Sequence, residues 1–358
     1  MQHKLIQKTR NLEFDILKGL AIFLVICGHA ISGFSSDTKT ENDFYLFIYA
    51  FHMPLFMLIS GFFSANSLNL PIKDILNKKF WQLIFPTIAF GILYFIFNIL
   101  FLEGGLKSEF IGFIDGLWFL KSCFLCYFIL GCCLKINKGN KLWGCVLALL
   151  ISQAVPFFKI TYMLPFFVIG YLFSNYKINF YKNTLGIFLL STACFIIIFL
   201  IYRELDLNKI NLRDLKSSLL EGDSELLKNY SLLQLMRLGL GISGALMVIY
   251  GVIYLCRHKY LKFILGVFSV YGKYTLGIYI IQTFLLEMLM SRYVDLSKID
   301  VNIYSYIVIP LLSWIIMEIC NYIVKGLNNS SIGRFMFEGK LNKIVNSKST
   351  ESTKFNLF

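Results

Sequence analysis

Uncharged or nearly uncharged runs of about 20 residues recur along the whole sequence, and a helix of that length crosses the ~30 Å hydrocarbon core of a bilayer. Ten such runs are read, at roughly 16–34, 44–65, 80–102, 117–135, 141–157, 160–174, 184–202, 232–256, 264–290 and 303–325. The expected fold is therefore an all-α integral membrane protein, a bundle of about ten transmembrane helices. Composition agrees: 57% of the residues are hydrophobic and 15% charged, where soluble domains carry about 25% charged residues. The fifth and sixth runs are short and flank Pro156 and Pro165, which leaves full, oblique and re-entrant passages open for them. The first run follows Lys4, Lys8 and Arg10 but has no A-x-A cleavage site, so it reads as a permanent helix and not a signal peptide. No internal repeat is visible, which argues against repeat-built transporters.

The net charge of +13 does not point to nucleic acid, because the basic residues sit in short loops and not on a soluble face. They act as topology signals instead. With the N-terminus inside, about two-thirds of the 34 Lys and Arg fall in cytoplasmic segments, as the positive-inside rule requires. Both termini are then cytoplasmic. Residues 1–334 form the polytopic domain, and 335–358 form a polar, Ser- and Lys-rich tail expected to be disordered. The long outer loop near 203–231 mixes charges and is expected to carry an amphipathic helix. Nine cysteines lie mostly inside apolar runs. Cys123 and Cys126 have the spacing of a zinc half-site, but no second half-site completes it, so they read as packing residues and no metal is expected.

A charged side chain in hydrocarbon costs roughly 2.5–3.5 kcal/mol on the insertion scale, so each one is a candidate for function. The set is His29, His52, Lys121, Arg237, Glu287 and Glu318, with Asp15 and Lys18 at the mouth of the first run. The assumed topology puts both histidines, Lys121, Arg237, Gln282 and Glu287 in the outer half, consistent with one polar cavity opening outward. His29 leads the set, since imidazole suits proton transfer near neutral pH. Lys121 and Arg237 are open to three roles: stabilising an oxyanion, binding a sugar pyrophosphate, or pairing with Glu287. Glu318 stands apart and reads as a structural hydrogen-bonding residue. Tyr279 and Gln282 lie one helical turn apart and share a face, which either lines the cavity or packs against a neighbouring helix.

The segment FDILKGLAIFLVICGHA (Phe14–Ala30) closely resembles the first-helix signature of the membrane acyltransferase family 3, with Lys18 and His29 at the family's spacing. FHMPLFMLISGFF (Phe51–Phe63) is similar to its second-helix motif. Lys78, Lys79 and Pro86, LWFL (Leu117–Leu120), LPFFVIGY (Leu164–Tyr171) and GKYTLGIYIIQ (Gly272–Gln282) resemble further family segments in order. The likeness runs over about residues 10–330 and is nearest to the fucose 4-O-acetylase-like and polysaccharide succinyltransferase branch. Two positions depart from the pattern. Lys18 replaces the commoner Arg and lacks its bidentate fork. Gln282 stands where many members have His and cannot act as a base.

The resemblance implies an acyltransferase of a bacterial inner membrane that binds no resident cofactor. Its co-substrate is cytoplasmic acyl-CoA, acetyl by default with succinyl as the alternative, and its acceptor is a glycan or lipid-linked saccharide hydroxyl. Lys18 and Asp15 are then placed at the CoA end. His29 is the base, assisted by His52, and Lys121, Arg237, Tyr279, Gln282 and Glu287 are placed at the acceptor. A polysaccharide-precursor transporter or flippase is the main competing reading, and a non-catalytic scaffold the third.

Overall fold

The computed structural model describes residues 11–34, 42–101, 106–137, 140–155, 157–205 and 224–338. Within them no strand occurs, and eight helices are long and apolar enough to cross a membrane. Two of the ten expected spans account for the difference. The fifth is a helix of only 14 residues, Lys141–Ala154, about 21 Å long. The ninth is not one helix. It runs as Lys259–Gly266, Phe268–Gly272 and Thr275–Gln282, then a π-helical stretch Thr283–Leu289. Broken backbone at membrane depth is tolerated where protein surrounds it, and all eight residues of Thr275–Gln282 are buried.

The helices used below are α1 (Leu12–Phe34), α2 (Asp43–Phe62), α3 (Phe85–Phe101), α4 (Leu106–Gly116), α5 (Trp118–Ile136) and α6 (Lys141–Ala154). They continue as α7 (Ile160–Asn175), α8 (Thr184–Glu204), α9 (Ser224–Leu255), α10 (Thr275–Gln282), α11 (Ile309–Asn329) and α12 (Ser331–Glu338). Helix α3 is entered from Ile72–Lys79 through a π-helical turn, Phe80–Ile84. Helix α12 crosses the expected domain boundary at 334, and its Phe337 packs on Phe90 with ring centroids 5.0 Å apart. The amphipathic helix expected near 203–231 falls largely on 206–223, which lie outside the described residues, as does the tail from 339.

Helix α1 is the axis of the bundle. Of its most apolar window 78% is buried, against 17% for α8 at the lipid-facing edge. It packs on α2, α9, α10, α11 and Phe268–Gly272. Lipid tails offer helices no hydrophobic reward for associating, so close backbone approach through small residues does that work. A Cβ on Gly19 would stand 1.9 Å from the Phe268 carbonyl oxygen, and one on Gly272 would stand 1.9 Å from that of Asp15. Helices α2 and α7 repeat the device: Gly61 faces the Phe167 carbonyl and Gly170 faces that of Leu58, each with a built Cβ at 2.0 Å.

The C-terminal end of α1 is pinned. The Tyr304 hydroxyl donates to the Ile31 carbonyl at 3.1 Å, and the Leu296 amide donates to that of Phe34 at 2.9 Å. Asn42 caps α2 by accepting from the Tyr45 amide at 3.0 Å, and its amide nitrogen donates to Ser305 Oγ at 2.6 Å. These contacts fix where α1 ends, and so the height at which His29 sits.

One expectation is corrected at α4. The stretch after the third span, expected as an outer loop, is a helix that enters the bundle. Phe113 is buried and stacks on Tyr94 at 5.0 Å. Lys107, Glu109 and Asp115 lower its hydropathy, which hides it from a search for long apolar runs.

Candidate active site

His29 sits on the last third of α1, partly exposed. Its Nδ1 is paired with Glu287 Oε1. A carboxylate only accepts, so Nδ1 carries a proton, and in the neutral imidazole the lone pair is then on Nε2. Glu287 comes from the π-helical stretch Thr283–Leu289. Such a stretch fits one extra residue into a turn and is frequent at functional sites. Here the Ser291 hydroxyl donates to the Glu287 carbonyl at 2.7 Å. On the other side the carboxylate lies against Gly116, where a Cβ would come 2.8 Å from Oε2. The end of α4 therefore forms part of the wall around the pair.

Three more side chains close this region. The Tyr279 hydroxyl donates to the Gly116 carbonyl at 3.0 Å. Tyr49 stacks on Tyr45 at 4.0 Å and meets the His52 ring edge-on at 4.8 Å. Gly28, next to His29, makes room for it: a Cβ there would stand 2.7 Å from Tyr49 Cε2. His52 is buried and its Nδ1–H donates to the Ile48 carbonyl at 2.7 Å, while its ring lies within electrostatic reach of His29 and Lys159.

Lys18, Ile22, Val25 and His29 follow one another at spacings of four, three and four, which puts them on one face of α1. Ile22 and Val25 line a cavity of about 20 Å³ with Met53, Phe56, Phe119 and Tyr279 among its other walls. That volume suffices for about one water. The cavity thus lies on the stripe that joins Lys18 to His29, over an axial rise of about 16 Å. Lys18 is buried at the far end with its ammonium 4.8 Å from the Phe63 ring, and Asp15 is buried beside it.

The structure brings His29, Glu287, His52 and Tyr279 together and leaves Lys18 and Asp15 at the opposite end of α1. Lys121 does not pair with Glu287. It binds Asp115 at 3.1 Å and lies 4.7 Å from the Phe158 ring. Arg237 stands near Lys159 and Tyr162. Gln282 is fully buried, with its Nε2 donating to Thr283 Oγ1 at 2.9 Å, so it packs behind the site. Glu318 accepts from the Tyr271 hydroxyl, away from His29. Sequence reasoning missed Gly116, Asp115, Tyr49 and Lys159. Only Tyr49 carried a usable signal, one helical turn before His52.

Eight helices long and apolar enough to cross a membrane, with a His–carboxylate pair at one end of the central helix, a buried lysine at the other and an apolar cavity between them, are the architecture of a multi-pass membrane protein. The family model described as an acyltransferase domain matches residues 11–324. The chain belongs to that acyltransferase family. It is 28% identical over 143 residues to nodulation protein NolL of Mesorhizobium japonicum, covering 36% of this chain and 38% of the relative. It is 36% identical over 63 residues to nodulation protein NolL of Sinorhizobium fredii, covering 17% of each. The chain thus spans well under half the length of these curated relatives. No solved structure matches it.

Proposed function

We propose that this protein transfers an acyl group, acetyl by default, from cytoplasmic acyl-CoA to a hydroxyl of a glycan or lipid-linked saccharide in a bacterial inner membrane. The observation that carries the reading is the His29–Glu287 pair. A sugar hydroxyl is a poor nucleophile until a base removes its proton. His29 Nε2 takes that proton, and the resulting imidazolium is stabilised by the Glu287 carboxylate, the logic of a histidine oriented by an acid. The acceptor oxygen attacks the thioester carbonyl carbon. The tetrahedral intermediate then collapses, the carbon–sulfur bond breaks, and the CoA sulfur takes the proton back from His29. His52, whose Nδ1–H is held by its own helix, positions Tyr49 and the acceptor and does not relay the proton.

The donor reaches His29 from the other end of α1. Lys18 supplies positive charge to CoA phosphate as a point charge without the fork of Arg. The pantetheine arm follows the Ile22–Val25 face, which borders a cavity of about 20 Å³. The axial distance is too long for Lys18 and His29 to touch one carbonyl, so the two ends divide binding from chemistry.

Membranes containing the protein, incubated with radiolabelled acetyl-CoA, should yield labelled glycan. Mass spectrometry of surface glycans from a deletion strain should show one acyl mass missing. Unchanged glycan in the deletion strain, together with no label transfer in membranes, would sink the reading.

A further inference from the structure

Protein interiors keep few voids larger than a water molecule, yet four helices leave one open below the His29–Glu287 pair. Its walls include Ile22 and Val25 of α1, Met53 of α2, Phe119 of α5, and Leu276 and Tyr279 of α10, and its volume is about 20 Å³. No charged side chain lines it. Apolar cavities of this kind stay dry, and this one has room for about one methyl group.

Two paths tie this space to the pair. Val25 precedes His29 by four residues on α1, a rise of about 6 Å. Side chains on a helix lean toward its N-terminus, so the imidazole covers the turn that carries Val25. On the α10 wall, the Tyr279 hydroxyl donates to the Gly116 carbonyl at 3.0 Å, and a Cβ on Gly116 would stand 2.8 Å from Glu287 Oε2. The base and its carboxylate therefore border the cavity from two sides. A thioester carbonyl beside an acceptor oxygen at His29 carries its next carbon one bond, about 1.5 Å, further on, and the cavity is placed to take that carbon. The buried cation of α1 is turned away from it. Lys18 holds its ammonium 4.8 Å from the Phe63 ring, and Phe63 lies about 10 Å along the chain of α2 from Phe56, another wall of the cavity.

We propose that this cavity is the acyl subsite: it seats the methyl group of an acetyl thioester, and Val25, Met53 and Leu276 set the length of acyl group accepted. The inference rests on the acyltransferase reading above and names the acyl group that reading takes. The bonds exchanged are those given there: the acceptor oxygen joins the carbonyl carbon, the carbon–sulfur bond breaks, and the thiol leaves with its proton. The methyl stays on the carbonyl carbon throughout and departs with the acceptor. A further methylene overfills the space, and the carboxylate of a succinyl group would be buried against apolar walls without a partner.

The test uses membranes of a deletion strain carrying the full-length parent or a variant, so that they supply their own acceptor. Two differently labelled acyl-CoA donors compete in one reaction, and the label ratio in glycan gives the ratio of their kcat/KM values. The parent should favour acetyl-CoA over propionyl-CoA by about tenfold or more, and over succinyl-CoA by about a hundredfold or more. M53A and L276A enlarge the cavity from different helices, so the failure of one to fold leaves the other. Each should raise the propionyl-to-acetyl ratio about tenfold without admitting succinyl. V25I fills the cavity and should lower acetyl transfer about tenfold. A parent that uses propionyl-CoA or succinyl-CoA as well as acetyl-CoA, an unchanged ratio in the folded enlarging variants, or full acetyl transfer by V25I would overturn the subsite while the transferase reading stands. No transfer from any of the three donors by the parent would remove the transferase reading, and the subsite with it.

Discussion

At the scale of single residues, the difference between His29 and His52 is one of surroundings. His29 is partly exposed and held by Glu287, whereas His52 is buried and bonded to its own helix at Ile48. Substituting Glu287 by Gln removes the charge that steadies the imidazolium while leaving size and shape intact. We expect kcat to fall by about 10²–10³-fold with little change in KM, measured with purified protein and a saturating acceptor. His52→Gln should cost less than about tenfold in kcat; a loss as large as that of Glu287→Gln would move His52 into the proton path. The candidacy of His29 was legible in sequence, because an imidazole eleven residues after Lys18 on an apolar helix has few other uses. Its partner was not. Glu287 lies 258 positions further along the chain, and only folding decides which intramembrane charge meets which.

At the scale of elements, glycines separate stability from activity. Gly61 faces backbone, so Gly61→Ala forces α2 and α7 apart and should lower stability by about 3 kcal/mol, seen as a fall in Tm in detergent. Gly116 faces the end of a side chain, the Glu287 carboxylate. Gly116→Ala should leave Tm nearly unchanged and reduce turnover about tenfold or more by displacing that carboxylate. A Gly116→Ala protein that unfolds like Gly61→Ala would show that α4 is packing alone. The long, evenly apolar spans were readable because hydrocarbon demands about 20 residues per helix. Helix α4 and the broken ninth span were not. The first carries charges, of which Asp115 pairs with Lys121, and the second is interrupted where Gly272 lets backbone press on Asp15.

At the scale of the whole molecule, donor and acceptor binding are assigned to opposite ends of α1, and the orientation follows from loop charge. In a background with the native cysteines replaced, an impermeant thiol reagent added outside whole cells should label Ser297→Cys. It should reach Asn140→Cys only after the membrane is opened. The reverse pattern would invert the topology and place His29 near the cytoplasm. The central claim, that His29 and Glu287 act as one catalytic unit, is tested most directly by a double-mutant cycle on acyl transfer from labelled acyl-CoA by the purified protein. Residues that act as a unit are non-additive. His29→Gln should abolish transfer, and adding Glu287→Gln to it should cost nothing further. Transfer that survives His29→Gln, or losses that simply add, would contradict the pair as the engine of the reaction.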